Sequence, residues 1–459
     1  MEEFHQWEYD LWINIRFWEY SIVGIYVLMI AVSSYFYQLT KISKGVYFKY
    51  FTLGIIARII GSIVFALVYL LFYKSGDTTA YFECAKAMAN LFYKSPEDYF
   101  TVFFSSPTPE TRSLFTYKTG YPYSYMFFDN HTFMVVRIVS VVAILTFKSY
   151  LLSTVLVATI TYSAVWKVFV LFVNYFPSLH KQMAFSILFF PSTIFWGSGI
   201  SKDTFTFYGV LVLFYSIYNL FINKTPKKRK YIQWIELSIG FFLVLNIKPY
   251  ILLIFLPCAL IWIFYNKLSA IKIKIIKYFV APLGLIFMLS VSYLILNFMG
   301  DSMSKFSLER ALETAAITNY DLKQDYYGGS SFNIGDYDGT ILGAIKLLPA
   351  ATFAGLFRPG LWESTKVTLI IAGIENTIIL YFVLSFLLRN KLRILINIIS
   401  GNSILLFCFM FSILFSFMIG LTTSNFGALV RFKIPFLPFL MCAIFITQYF
   451  INIKTKSFK

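Results

Sequence analysis

The stretch KSGDTTAYFECAKAMANLFY, Lys74 to Tyr93, places a carboxylate at the start of a helix-forming run directly after an apolar segment. Gly76 permits a tight exit from that segment. Asp77 takes the N-cap position, and Tyr81, Ala85, Met88 and Ala89 recur on one face of an amphipathic helix. An aspartate there is a helix cap or a general base, the latter if partial desolvation at a membrane surface raises its pKa toward the working range. Glu83 and Asp203 are the other acids in comparable settings.

Four cations stand out for their places. Lys202, Lys248, Arg358 and Arg431 each lie within a few residues of the end of an apolar span, flanked by Pro or Gly that fix the local backbone. Arginine's planar fork matches phosphate oxygens and lysine adds a point charge. Taken singly, each is a side chain that snorkels to lipid headgroups. Converging from separate turns, they point to a phosphate or pyrophosphate site. Asp336-Tyr337-Asp338, inside GGSSFNIGDYDGT, reads either as a solvated turn or as two oxygen ligands for Mg²⁺ or Mn²⁺ bridging a donor phosphate.

The elements that must position these residues are membrane spans. The chain has 459 residues, 58% hydrophobic and only 13% charged, too little polar surface for a soluble domain. About eleven apolar stretches approach the roughly 20 residues that cross a bilayer as a helix, so the expected fold is all-α, a polytopic integral membrane protein in a single domain over 1–459. Spans are expected near 18–38, 50–73, 150–174, 183–200, 204–222, 233–247, 251–266, 278–299, 367–388, 402–420 and 433–452. The net charge of +17 would suggest nucleic acid in a soluble protein, but here the cations gather in short loops, which is the pattern of cytoplasmic anchors and excludes that partner. These loops hold Lys41, Lys44 and Lys49; Lys224 and Lys227 to Lys230 with Arg229; Lys267, Lys272, Lys274 and Lys277; Arg389, Lys391 and Arg393; and Lys454, Lys456 and Lys459.

With those loops inside, the N-terminus is outside. The acidic opening, with Glu2, Glu3, Glu8, Asp10 and Glu19, lacks the cationic start of a cleaved signal peptide. The segment 133–147 is apolar enough to cross, yet counting it would push the KTPKKRK loop outside, so it is assigned as an interfacial or re-entrant helix of the first outer loop. Two long extracytoplasmic loops, 74–149 and 300–366, then carry most of the polar motifs. Cys258, Cys408 and Cys442 lie in spans and Cys84 in a loop, which implies no disulfide framework. Phe and Tyr abound, 53 and 33 of them, as expected for lipid-facing bulk and interfacial belts. Arg58, Lys167, Glu236 and Glu375 are costly charges within spans; a pairing of Arg58 with Glu375 would mark an ion or proton path.

An acid a few residues past an N-terminal span, followed by Tyr and a small-residue helix, resembles the first outer loop of membrane glycosyltransferases of the GT-C superfamily. PSTIFWGSGISKDTFTFYG, from Pro191 to Gly209, continues the resemblance, and GSSFNIGDYDG, LFRPGLWE and SNFGALVRFKIPFLP are similar to stretches of bacterial envelope-polysaccharide proteins. The resemblance implies transfer of a sugar or oligosaccharide from a polyprenyl-(di)phosphate carrier to a glycan, lipid or protein, on the outer face of a bacterial inner membrane. It carries Asp77 over as the base; Arg358 and Arg431 would stabilise the departing phosphate, with Lys202 and Lys248 assisting. The family often pairs its first-loop acid with a second. This chain departs from a tidy pair, because Glu83 falls off the Asp77 face and Asp203 is the alternative. An O-antigen or capsule-type polysaccharide polymerase shares the same requirements. A transporter or lipid-linked glycan flippase is the rival of another class.

Overall fold

The computed structural model describes residues 13, 15–74, 76–223, 227–269, 274–300, 310–324, 330–364, 366–389 and 392–457. Glu2, Glu3, Glu8, Asp10, Lys224, Lys272, Lys391 and Lys459 lie outside them, as do 301–309 and 325–329 of the segment expected as the second outer loop. Among the described residues the named elements are all helices, as the sequence leads one to expect. Seven of these helices are long and apolar enough to cross a membrane: Phe17–Lys44, Val46–Tyr73, Tyr150–Tyr175, Lys202–Ile222, Tyr250–Leu268, Leu369–Arg389 and Ser403–Thr422. An eighth is added if Phe426–Phe432 and Leu437–Ile453, bent by 68°, form one broken span.

The expected span near 183–200 is instead two short helices, His180–Ile187 and Pro191–Trp196. Proline has no N–H to donate, so Pro191 opens a helix more readily than it continues one. The 133–147 segment, as far as Leu145, belongs to the shorter apolar helix Asn130–Leu145, which ends before Thr146 and Phe147.

The chain divides into two compact units. The first comprises 1–167, 194–208 and 246–248. Its segment 74–149 is mostly helical, with Asp77–Lys94, Pro96–Phe104, Pro109–Arg112, Ser124–Phe127 and Asn130–Leu145 in succession. Local chemistry explains the breaks. Ser95 and Thr108 cap their helices, accepting from the backbone N–H of Asp98 and Thr111, and Pro96 and Pro109 stand at the first helical turn. Asp77–Lys94 packs against Asn130–Leu145. Its expected apolar face, Tyr81, Ala85, Met88 and Ala89, is fully in the core.

The helix Phe51–Leu67 lays a stripe at helical spacing against the rest of this unit. Gly54 meets the Tyr162 ring, Gly61 meets Ile194, and Phe65 covers Gly199. A Cβ on Gly61 would fall inside van der Waals contact with both the side chain and the carbonyl of Ile194, so only glycine permits the close approach.

The second unit comprises 168–193, 209–245 and 249–459. In it Ile341–Phe357 crosses Ser403–Thr422 at close range. Gly355 lies against the Ser416 carbonyl and Gly420 against the Ala351 carbonyl, a reciprocal pair of small residues of the kind that holds helices together where lipid removes the hydrophobic drive. The segment before this crossing pairs locally with a distant turn. Phe332 N–H donates to the Ser424 carbonyl at 2.8 Å, and Phe426 N–H to that of Ser330 at 2.9 Å.

Candidate functional site

In the first unit Asp77, Lys202 and Asp203 stand at helix starts. Gly76, at φ 137°, is the N-cap of Asp77–Lys94, so Asp77 is the first helical residue rather than the cap. The left-handed backbone at Gly76 is what turns the chain, as expected from glycine's missing Cβ. Asp77 is exposed. The desolvated carboxylate of this loop is Glu83, whose pKa is raised by burial, opposed by the Tyr123 hydroxyl that donates to its Oε2 at 2.5 Å, by Lys86 and by the Ile13 backbone.

Lys202 opens the next helix, Lys202–Ile217, with Asp203 beside it. A cation at a helix N-terminus adds to the positive end of the dipole and needs compensation. Asp129 supplies it: Lys202 Nζ lies 3.5 Å from Asp129 Oδ2 and donates to Thr132 Oγ1 at 2.6 Å, while the Thr132 hydroxyl donates to Asp129. Asp77 also acts electrostatically on the Lys202 ammonium, as does Lys248. Lys248, in the turn between two helices, is paired with Asp203 at 2.5 Å, with side chains 9% and 2% exposed. Buried charges persist when an opposite charge replaces the lost water, and this pair is such a case. Lys202 and Lys248 are therefore not headgroup-snorkelling side chains. They belong to one cluster of two ammonium and three carboxylate groups: Lys202, Lys248, Asp77, Asp129 and Asp203.

Arg58 supports this cluster from within its span. Its guanidinium donates to Thr161 Oγ1 at 3.0 and 3.3 Å and to the Gly197 carbonyl, and it stands over the Phe207 ring at 5.8 Å. Gly197 begins the turn that ends in Lys202. Glu375, in the second unit, accepts from Ser192 through both its backbone N–H, at 2.8 Å, and its hydroxyl. Each of these two span charges has hydrogen-bond partners within its own unit.

The second unit holds the arginines. Arg358 follows the helix Ile341–Phe357 and is bound by Glu363, with Nε at 2.8 Å and an ion-pair distance of 2.6 Å. Its guanidinium lies over Phe332 at 4.6 Å and Phe426 at 5.3 Å, and these rings stack on each other at 4.8 Å. Lys433, only 1% exposed, spends its ammonium on the carbonyls of Leu356 and Arg358 and on Asn376 Oδ1, at 3.1, 2.6 and 3.2 Å. Asn376 in turn donates to the Pro359 carbonyl at 2.9 Å. Arg358 is therefore a fixed, half-buried arginine whose fork is already held by a carboxylate. Arg431 lies near the end of Phe426–Phe432 and is half-buried.

Asp336 and Asp338 are both exposed, and Asp338 accepts from the backbone N–H and hydroxyl of Thr340 at 3.0 and 2.8 Å. Thr340 caps the helix that follows, and Tyr337 packs against the core of Ala344, Ala351 and Leu421. These are the contacts of a turn that starts a helix. No group of three or more His, Cys, Asp or Glu that could hold a metal ion occurs among the described residues. Two exposed carboxylates, one engaged by its own turn, do not fit the oxygen-rich shell that Mg²⁺ or Mn²⁺ requires.

Sequence reasoning missed Asp129 and Lys433. Asp129 stands in FFDNHTF, just before the apolar run whose spanning was in question, and an acid at the entry to an apolar helix was the available signal. Lys433 follows the more conspicuous Arg431, and its burial has no local signature. Comparison of the chain with protein-family models, with curated proteins and with solved structures finds no match.

Proposed function

We propose that the chain is a membrane glycosyltransferase, moving a sugar or oligosaccharide from a polyprenyl-(di)phosphate carrier to a glycan, lipid or protein acceptor on the extracytoplasmic face of a bacterial inner membrane. The observation that carries this reading is the cluster of Asp77, Asp129 and Lys202. An exposed carboxylate at a helix start acts as the base that takes the acceptor hydroxyl's proton, and the cationic N-terminus of Lys202–Ile217 meets the donor's phosphate. Asp129 supplies the companion acid that Glu83, engaged by Tyr123, does not. Lys248 and Asp203 hold the turn from below as a buried pair.

The same reading takes the basic loops as cytoplasmic and 74–149 and 300–366 as external. Arg358, fixed by Lys433 and Glu363, serves to position the second loop. A polymerase differs only in its acceptor, the growing glycan itself. The test is turnover of a polyprenyl-phosphate-linked sugar by the protein in nanodiscs, with Lys202→Ala as the comparison. Transfer that needs Lys202 supports the reading; translocation of the lipid-linked sugar without bond cleavage would replace it with a flippase.

A further inference from the structure

The segment from Tyr121 to Phe128 is built as a plate with two sides. Met126 and Phe127 face inward, 2% and 0% exposed, and the Phe127 ring packs on Phe133 at 4.6 Å and Phe115 at 6.1 Å. Tyr121, Tyr125 and Phe128 are turned out, 43%, 68% and 46% exposed. The outer rings are held in place. Tyr123 is tied through its hydroxyl to Glu83 and through its backbone N–H to Cys84 Sγ at 3.3 Å, and Tyr125 stacks on it at 5.9 Å with planes 19° apart. Arg112 lies over the Phe128 ring at 5.8 Å and donates to the Pro122 carbonyl at 3.3 Å. The plate lies outside the candidate spans, and the residue after Phe128 is Asp129, which pairs with Lys202.

We infer that this shelf binds a neutral oligosaccharide, the glycan acceptor of the proposed transfer, on whose reading the inference rests. Pyranose rings present a flat face of C–H groups edged by hydroxyls. The exposed, fixed rings of Tyr125 and Phe128 match both parts: their aromatic faces take the C–H groups and the Tyr125 phenol the rim. A bilayer surface asks less, since interfacial Tyr and Trp anchor one by one, without a stacked pair tied to a buried carboxylate. Continuity with Asp129 places the end of a bound glycan at the cluster where its hydroxyl would be deprotonated.

The experiment is saturation-transfer NMR on the full chain in nanodiscs, with maltohexaose, chitohexaose and xylohexaose as probes. Transfer to the sugar C–H protons of at least one probe is expected. Tyr125→Ala and Phe128→Ala should each weaken it about 2- to 10-fold, while Tyr125→Phe keeps most of it. Absence of transfer to all three probes overturns the shelf. So does binding unchanged in both alanine variants, or a loss in Tyr125→Ala of affinity for anionic lipid vesicles with none for glycan. The two readings fail separately. A chain that binds glycan through these rings yet transfers no sugar refutes the transferase alone; an active transferase whose acceptor KM ignores Tyr125→Ala refutes the shelf alone.

Discussion

The Arg58 guanidinium donates to the carbonyl of Gly197, so a charge buried in one span fixes the first residue of the turn that leads to Lys202. A buried arginine is costly in lipid, and here it is repaid in geometry, by a carbonyl, a threonine and an aromatic face. Arg58→Met should leave Gly197 and Thr161 without their donor and cost roughly 1–3 kcal/mol, read as a lower unfolding temperature in detergent. Transfer should fall with it, because the turn loses its anchor. Arg58→Lys, which keeps one donor, should fall between. Native melting in Arg58→Met would show that the turn is held by packing alone.

Asp77→Asn should purify and melt like the native protein, since the residue is exposed at a helix start. Its rate of sugar transfer should drop about 100- to 10,000-fold, the range of a lost general base. Activity near the native level would move the base to Asp129.

Burial raises the Glu83 pKa, so the fold favours its protonated form. The sign follows: this contribution to stability is fully present below the ordinary carboxylate pKa and is lost as pH rises through the raised one. Thermal melts across that window should show stability declining with pH, and Glu83→Gln, which cannot ionise, should flatten the profile. An equal decline in the variant would assign the effect elsewhere.

Arg358 uses a fork on Glu363 and a flat face on Phe332 and Phe426 at once. Lysine keeps the charge and loses both geometries. Arg358→Lys should therefore lower stability, and Glu363→Gln should lower it further only in the native background. Additive losses in the double variant would mean that the pair does not act as a unit.

All four native cysteines are buried, which provides a quiet background for topology mapping. Ser331→Cys should react with an impermeant thiol reagent in intact cells, and Ser43→Cys, between Lys41 and Lys44, only after the membrane is opened. Reaction of Ser43→Cys in intact cells would invert the orientation.

The spans were legible because crossing a bilayer demands length and apolarity together, and Phe17–Lys44 or Ser403–Thr422 satisfy both. The helices of the first loop were less so. Pro96–Phe104 and Pro109–Arg112 are short, and their signals, Ser95-Pro96 and Thr108-Pro109, speak only of starts. Asp77, Lys202 and Lys248 stood out by type and place. The companions of Lys202 did not, since it meets Asp129 and Thr132 across about seventy residues of chain, and periodicity within a segment carries no information on such pairings. The four conspicuous cations looked alike in sequence; only neighbours distinguish Lys248, locked to Asp203, from Arg358, stacked on two phenylalanines.

Gly355 and Gly420 make the crossing of Ile341–Phe357 with Ser403–Thr422 work as a ruler. Sliding the first helix by one residue would turn it by about 100° and bring Ala354 or Leu356 against the Ser416 carbonyl, where there is room for no side chain. Only one height is allowed. Because Arg358 is the residue directly after that helix, its place along Ser403–Thr422 is set by two missing methyl groups rather than by the charge it carries.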